Sequence, residues 1–388
     1  MRDMRHKALA AAITLLAAAT PAASETLIDA LTTSYRNSGL IAQNRAVLRA
    51  ADEDVAQSVA SLRPAINYAL GADYSNPAFG DELTGSLSVT ASMLLYDFGR
   101  SQLGIEAAKE TVLATRAALV DVENTVLLNT VVAYMSVRRS EAFVNLRQNN
   151  VRLLTEQLRA TRDRFEVGEV TRTDVSLAEA RLAAARSGLA AEQGGLARAK
   201  EQYKAVVGQY PGTLARPPSA PAIPGTEEAA RAIARKDNPQ IRQVQHQVKA
   251  TELIAEQSSR AYHPSLNASA FASIDDDGDD SYSLGIDLSG PIYQGGANAS
   301  GLRRAQAQKD QVRAQLYTTG LLVAQQVGNS YANLAVAVAS IDASNRQVRA
   351  AQLALEGVRE ELQLGARTTL DVLDQEQELL DAQTNRVS

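Results

Sequence analysis

A mainly α-helical, duplicated fold carrying membrane-type β-strands is what this sequence predicts, and three observations predict it. The chain is written twice: Tyr96, Gly99, Ala108, Tyr134, Gly168, Asp174 and Val175 recur as Tyr293, Gly296, Ala305, Tyr331, Gly365, Asp371 and Val372, a constant offset of 197 (293 − 96). Each copy holds two short runs that alternate with period two, the signature of a strand with unlike faces. Each copy also holds a long stretch rich in Ala, Leu, Gln and Arg with apolar residues at heptad spacing, which favours packed helices. Two copies of this size are too few and too long for a solenoid array and indicate a duplicated architectural unit.

Residues 1–24 read as a secretory signal peptide. Arg2, Arg5 and Lys7 precede the largely apolar run Ala8–Ala19, and Ala22-Ala23-Ser24 supplies small residues before Glu25. The run is too short to span a bilayer as a helix, and no later segment is long enough either. Removing the peptide takes three of 39 basic and one of 44 acidic residues, leaving 36 against 43, a net −7. That balance gives no support for nucleic-acid binding. Cysteine is absent, which excludes disulfides, thiolate metal sites and a lipid on an N-terminal cysteine. Aromatic residues make up only 4% and tryptophan is absent, a composition suited to narrow helix seams rather than a large round core.

The first repeat is expected over 25–208. It opens with a helix from Asn37 to Leu62, stopped by Pro64. Strands follow at 65–75 and 84–95. Ile66, Tyr68 and Leu70 alternate with small or polar residues in the first, and Leu87, Val89, Ala91 and Met93 alternate with Ser86, Ser88, Thr90 and Ser92 in the second. A helical hairpin over 99–208 comes next. Ile105, Val112, Leu119 and Val126 fall seven apart, as do Leu113, Val120, Leu127 and Tyr134, and Gly168 turns the chain into a return helix from Thr173 to about Val207. Residues 209–236 read as a connector at mid-height, because Pro211, Pro217, Pro218, Pro221 and Pro224 forbid a helix there. The second repeat, 237–388, has strands at 265–275 and 281–292 and a hairpin over 297–388. Its return helix ends at Ser388, equivalent to position 191 (388 − 197), so a shortened C-terminus is expected.

Four alternating strands in an exported chain, with Ser, Thr, Asn and Gly on the polar side, suit membrane strands of about 9–11 residues. A soluble sandwich alternates too. In lipid an open sheet leaves backbone groups unsatisfied, and four strands do not close, so the missing strands must come from other subunits. An oligomeric barrel is the expectation.

The order helix, strand, strand, long helix, glycine turn, helix, duplicated behind a signal peptide, resembles the TolC family of outer-membrane channel-tunnels. Leu95-Tyr96-Asp97-Phe98-Gly99-Arg100 and Pro291-Ile292-Tyr293-Gln294-Gly295-Gly296 look like the family's strand-to-helix junctions, and Leu364-Gly365-Ala366-Arg367-Thr368-Thr369-Leu370-Asp371-Val372-Leu373-Asp374 looks like its tunnel tip. The missing cysteine departs from the lipidated branch and favours the branch that includes TolC. The resemblance implies a homotrimer with a twelve-stranded barrel, four strands per protomer, continued by a coiled-coil tunnel across the periplasm. It also implies a periplasmic adaptor and an inner-membrane transporter of ABC or RND type as partners.

Asp371 and Asp374 lie three apart on one helical face. Thr368-x-x-Asp371 and Thr171-x-x-Asp174 both have capping-box spacing with Asp in place of Glu, so a structural role for Asp371 stands beside a functional one. Asp374 faces Leu177 in the first copy, so the duplication itself did not require an acid there. By resemblance, Asp371 and Asp374 ring the tunnel entrance as a cation-attracting gate. Arg367 latches one hairpin to the other through Thr173 and Asp174, and the tips at Gly168 and Gly365 meet the adaptor. The tyrosine that the family places beside the latch is Leu362 here.

No cofactor or metal is expected. The run Asp275-Asp276-Asp277-Gly278-Asp279-Asp280 has Leu284 where a calcium loop needs Glu, and His246 and His263 alone make no metal site. No nucleophile motif, phosphate loop or dinucleotide fingerprint is present, so the reading is not an enzyme. It is a passive outer-membrane exit duct for type I secretion, multidrug efflux or both. The rival is a periplasmic coiled-coil adaptor with no barrel of its own.

Overall fold

The computed structural model describes residues 24–75 and 82–388; the expected signal peptide lies almost wholly outside them. In chain order the elements are helices α1 (Leu27–Asn37) and α2 (Gly39–Ala60), strands β1 (Ala65–Ser75) and β2 (Glu82–Tyr96), and helices α3 (Arg100–Glu166), α4 (Arg172–Val207), α5 (Glu227–Asp237) and α6 (Pro239–Ser259). Strands β3 (Ser265–Asp275) and β4 (Asp280–Ser289) and helices α7 (Ala297–Gln363) and α8 (Thr369–Val387) complete the second copy. The long helices α3 and α7 both have 67 residues and begin 197 positions apart.

Three boundaries differ from the sequence expectation. The helix expected from Asn37 to Leu62 is α2 (Gly39–Ala60), and an unexpected helix, α1 (Leu27–Asn37), precedes it; the two are separated by Ser38, which is extended (φ −65°, ψ 111°). The first starts at a capping box: Thr26 N–H donates to Asp29 Oδ2 at 3.0 Å, and Asp29 N–H donates to the Thr26 hydroxyl at 3.2 Å. The connector expected to run to 236 already contains α5, capped by Thr226, since all its prolines precede that residue. Strand β4 ends at Ser289 rather than 292, because Gly290 lies tight against Pro264 and Pro291 has no N–H to pair.

The described residues form two compact units: those within 41–122 together with 224–328, and those within 24–40 together with 123–223 and 329–388. The first carries a four-stranded antiparallel sheet in the order β1-β2-β3-β4. Its register sorts the side chains by face. Tyr68, Val89, Ala272 and Tyr282 form one row, and Ile66, Ala91, Ala270 and Leu284 form another on the same face. Ala69, Ser88, Ser273 and Ser281 align on the opposite face, where the Ser273 and Ser281 hydroxyls bond at 2.8 Å. Phe271, in the row of Asn67, Thr90 and Ser283, is an exception. The apolar face is bare: Tyr68, Leu70 and Leu284 are 81%, 80% and 86% exposed. The four strands contain no Lys or Arg.

Each strand pair leads into its long helix through two consecutive residues with positive φ. The second copy uses Gly295 and Gly296 (60° and 86°); the first uses Phe98 and Gly99 (57° and 77°). A positive φ is strained for phenylalanine. Phe98 is held there by Arg260, which donates to its carbonyl at 2.8 Å, and by rings of Tyr96 and His263 at 4.8 and 5.0 Å.

In the other unit Ala30, Tyr134, Val137, Tyr203 and Val207 form a core around the start of the described chain. Glu25 is its polar hub. The Tyr203 hydroxyl donates to the Glu25 carboxylate at 2.7 Å, and the Tyr134 hydroxyl donates to the carbonyls of Glu25 (3.0 Å) and Ala215 (2.7 Å). Burial and the Glu25 carboxylate push the Tyr203 phenol well up from its ordinary pKa. Two buried tyrosines thus have their hydroxyls satisfied, which is what makes them tolerable in a core otherwise built of small residues.

Candidate functional site at the hairpin turns

Helices α3 and α4 form the first hairpin, α7 and α8 the second, and both turns lie in the same unit. The turns are built alike. Gly168 and Gly365 adopt φ of 81° and 75°. Gly168 N–H bonds Phe165 O and Glu169 N–H bonds Arg164 O; Gly365 N–H bonds Leu362 O and Ala366 N–H bonds Glu361 O. This Schellman arrangement closes the ends of α3 and α7 and requires a residue at ease in the left-handed region. Three residues later each return helix opens with a capping box, Thr171 with Asp174 and Thr368 with Asp371.

The capping boxes set the electrostatics of both acids. The Thr171 hydroxyl, then its N–H, holds Asp174 below the usual carboxylate range. The Thr368 N–H, then its hydroxyl, does the same for Asp371, with Arg367 adding a smaller pull. Asp371 is therefore a helix cap first, and it stays charged throughout the neutral range.

Arg367 does not reach Thr173 or Asp174 within the protomer. Its Nε donates to Glu361 Oε2 at 2.8 Å, on its own hairpin, while Asp174 is engaged with Thr171 and Thr173 is exposed. The tie between hairpins is made elsewhere. Arg181 of α4 meets Asp374 of α8 at 2.7 Å, and Leu373 packs beside it against Leu158, Ala178 and Leu182. Sequence reasoning singled out Asp374 but missed Arg181, because nothing in the spacing relates positions on different helices. It also missed Glu376, which is 9% exposed and paired with Arg359 at 2.8 Å while its Oε2 has no hydrogen-bond partner. Glu376, Arg359 and Leu362 line a groove of about 450 Å³ between the hairpins, walled on the other side by Leu153, Thr161 and Arg164 of α3. Leu362, where the family pattern has tyrosine, fills this groove with aliphatic bulk.

Among the described residues no group of His, Asp and Glu could hold a metal ion, and no helix is long and apolar enough to cross a membrane. The architecture itself is the informative feature: a duplicated sheet-and-hairpin unit with a bare apolar sheet face. A sequence profile of the outer membrane efflux proteins matches residues 31–209 and 231–388. The chain belongs to that family.

Individual relatives agree. Outer membrane efflux protein BepC of Brucella suis biovar 1 (strain 1330) is 33% identical over 370 residues, covering 93% of this chain and 81% of BepC. Outer membrane protein TolC of Salmonella enteritidis is 26% identical over 360 residues, covering 86% and 72%. A crystal structure of CusC, described for folding and transmembrane channel formation, superposes with a TM-score of 0.83 at 19% identity, covering 94% of this chain and 88% of that one, which shows the shared fold. Membership of the outer membrane efflux family places the chain in the outer membrane as an exit duct and decides against the rival adaptor reading.

Proposed function

We propose that three copies of this chain close a twelve-stranded barrel and form a passive duct from the periplasm to the outside. A periplasmic adaptor and an inner-membrane transporter, of ABC or RND type, open it at the hairpin turns for type I secretion, multidrug efflux or both. One observation carries this reading: the four-stranded sheet has unpaired edges at β1 and β4, a bare apolar face and an opposite face of small and polar residues, hydroxylated on β2, β3 and β4. In lipid only closure satisfies those edges, and only an outward apolar face suits the acyl chains. The exposed heptad residues Leu113 and Val120 support lateral packing of further helices against α3.

At the periplasmic end, Asp371 and Asp374 are the gate acids, brought near one axis in triplicate. Gly168 and Gly365 mark the adaptor contacts. Arg181 with Asp374 takes the role of inter-hairpin latch in place of Arg367 with Thr173 and Asp174. The test is extraction of outer membranes in mild detergent, native mass measurement and planar-bilayer recording. A three-copy particle that conducts ions supports the reading; a single-copy particle in the soluble periplasmic fraction overturns it.

A further inference from the structure

Glu376 is buried where the two hairpins of one protomer meet, yet one oxygen of its carboxylate is unused. Arg359 Nη2 donates to Oε1 at 2.8 Å, while Oε2 has no hydrogen-bond partner. A buried acceptor without a donor is costly, and a carboxylate oxygen more so than a carbonyl. Thr161, the buried hydroxyl in the same wall, does not serve it, because its single proton goes to the Gln157 carbonyl at 2.9 Å. The repeat equivalent, Glu179, makes the same ion pair with Arg162, but its side chain is 48% exposed and solvent reaches it. Glu376 instead lines the groove of about 450 Å³ where α3 meets α7 and α8, a volume in the range of small-molecule sites.

The lining defines what fits. It holds two cations, Arg164 and Arg359, and two acids, Glu156 and Glu376, a net charge of zero (2 − 2). Arg359 is spent on Glu376, and Glu156 pairs with Arg152 at 3.1 Å. What remains to a ligand is one acceptor, Glu376 Oε2, and one cation, Arg164, whose Nε lies 3.9 Å from Glu169 Oε2 and so beyond hydrogen-bond reach. Leu362 and Val372 add aliphatic surface to the same groove. Since Arg359 already neutralises Glu376, a ligand of a single charge would enter the groove without a counter-ion, whereas one carrying both signs keeps the balance.

We propose that this groove binds a small zwitterion with an aliphatic body, a free amino acid or short peptide. Its ammonium donates to Glu376 Oε2, its carboxylate accepts from Arg164, and its side chain lies against Leu362 and Val372. Both polar contacts are charge-assisted, which makes them the strong kind. A molecule bound there touches α3 of the first hairpin and α7 and α8 of the second, so it clamps the two hairpins together and opposes opening of the duct. The clamp rests on the function proposed above; the binding site, which lies within one protomer, does not.

The probe is the dipeptide leucyl-leucine, with its N-acetyl and C-amide forms, titrated calorimetrically into the full chain extracted from membranes in mild detergent. The free dipeptide should bind and raise the thermal midpoint with concentration. Acetylation removes the ammonium and amidation the carboxylate, and each should weaken binding about tenfold. Glu376→Gln, which puts a donor where the ammonium needs an acceptor, should weaken the free dipeptide to a similar extent. Glu179→Gln, in the twin ion pair, should leave it unchanged. Arg164→Gln, at a side chain 41% exposed, gives an independent reading should Glu376→Gln fail to fold. No binding of the free dipeptide, the result if water alone satisfies Oε2, overturns the inference, and so does equal binding of all three forms. In bilayer recordings the dipeptide should reduce conductance. Binding with conductance unchanged removes the clamp and keeps the site, while binding to a particle that never conducts removes the duct reading and keeps the site.

Discussion

Arg181 and Asp374 meet at 2.7 Å across the two hairpins, and their repeat counterparts, Glu378 and Leu177, have no ability to form the same bond. The tie is therefore not repeated by the duplication and sits at the seam between the two hairpins of one protomer. Its side chains are 38% and 58% exposed, so it contributes about 0.2–1 kcal/mol rather than the several expected of a buried pair. In a double-mutant cycle, Arg181→Ala and Asp374→Ala should show a coupling of that size in thermal stability, weakening in high salt. A coupling of zero at low salt would remove Arg181 from the latch.

Arg181→Ala also separates two roles of Asp374. It frees the latch and leaves the acid, whereas Asp374→Ala removes both. If Asp371 and Asp374 set the field at the entrance, changing both to Ala should reduce cation preference in bilayer recordings. Arg181→Ala should raise conductance with preference retained. Arg367→Ser, which breaks the contact with Glu361 and removes a smaller pull on Asp371, should change conductance least. An unchanged reversal potential in the double aspartate variant places the selective constriction elsewhere.

On the sheet, Leu87 and Ile286 lie on the apolar face, while Ser88 and Asp287 lie on the hydroxylated one. Arg at Leu87 or Ile286 should cost about 2–4 kcal/mol if the position meets lipid at the midplane. Arg at Ser88 or Asp287, facing water, should be far milder. Trimer yield in membranes is the readout, and equal losses at all four positions would contradict a lipid-facing apolar surface.

Glu376 offers a stability test. Arg359→Ala leaves its carboxylate buried beneath α3 with no cation and should cost about 1–3 kcal/mol. Glu376→Gln in that background should recover part of the loss, because an amide is cheaper to bury than a carboxylate. The equivalent change Arg162→Ala, where Glu179 is open to water, should be nearly silent in the isolated protomer. Equal costs at both arginines would mean that burial does not distinguish the two pairs.

The three capping acids predict a pH profile. Asp29, Asp174 and Asp371 have folded-state pKa values lowered by their threonines. A lowered value stabilises the fold above the unfolded pKa of about 3.9 and is lost as pH falls through the folded value. Thermal stability should therefore hold from neutrality to near pH 4 with respect to these groups and drop below it. Thr171→Val with Thr368→Val should lower stability at neutral pH and flatten the acid limb. A limb unchanged in that variant would assign acid sensitivity to other carboxylates.

The sequence by itself determined the duplication, the four strands and the two long helices. Those features rest on local repetition: period two in Leu87–Met93, heptads through Ile105–Val126, glycine where the chain must turn at Gly168 and Gly365. The capping boxes at Thr171 and Thr368 were equally legible, because cap and partner lie three residues apart. Helix α1 before Ser38 was not, since it is short and its buried face, Ala30 and Ser34, is defined by residues distant in the chain. Only the tertiary structure decided that within one protomer Arg181 meets Asp374 while Arg367 meets Glu361, that Glu376 is buried while its twin Glu179 is open, and that Phe98 tolerates a positive φ beside Arg260. Each of these joins residues far apart in the chain. Periodicity fixes which face of an element is apolar, but the rotation and offset at which two such faces meet depend on side-chain packing between them, and that decides which charges become partners.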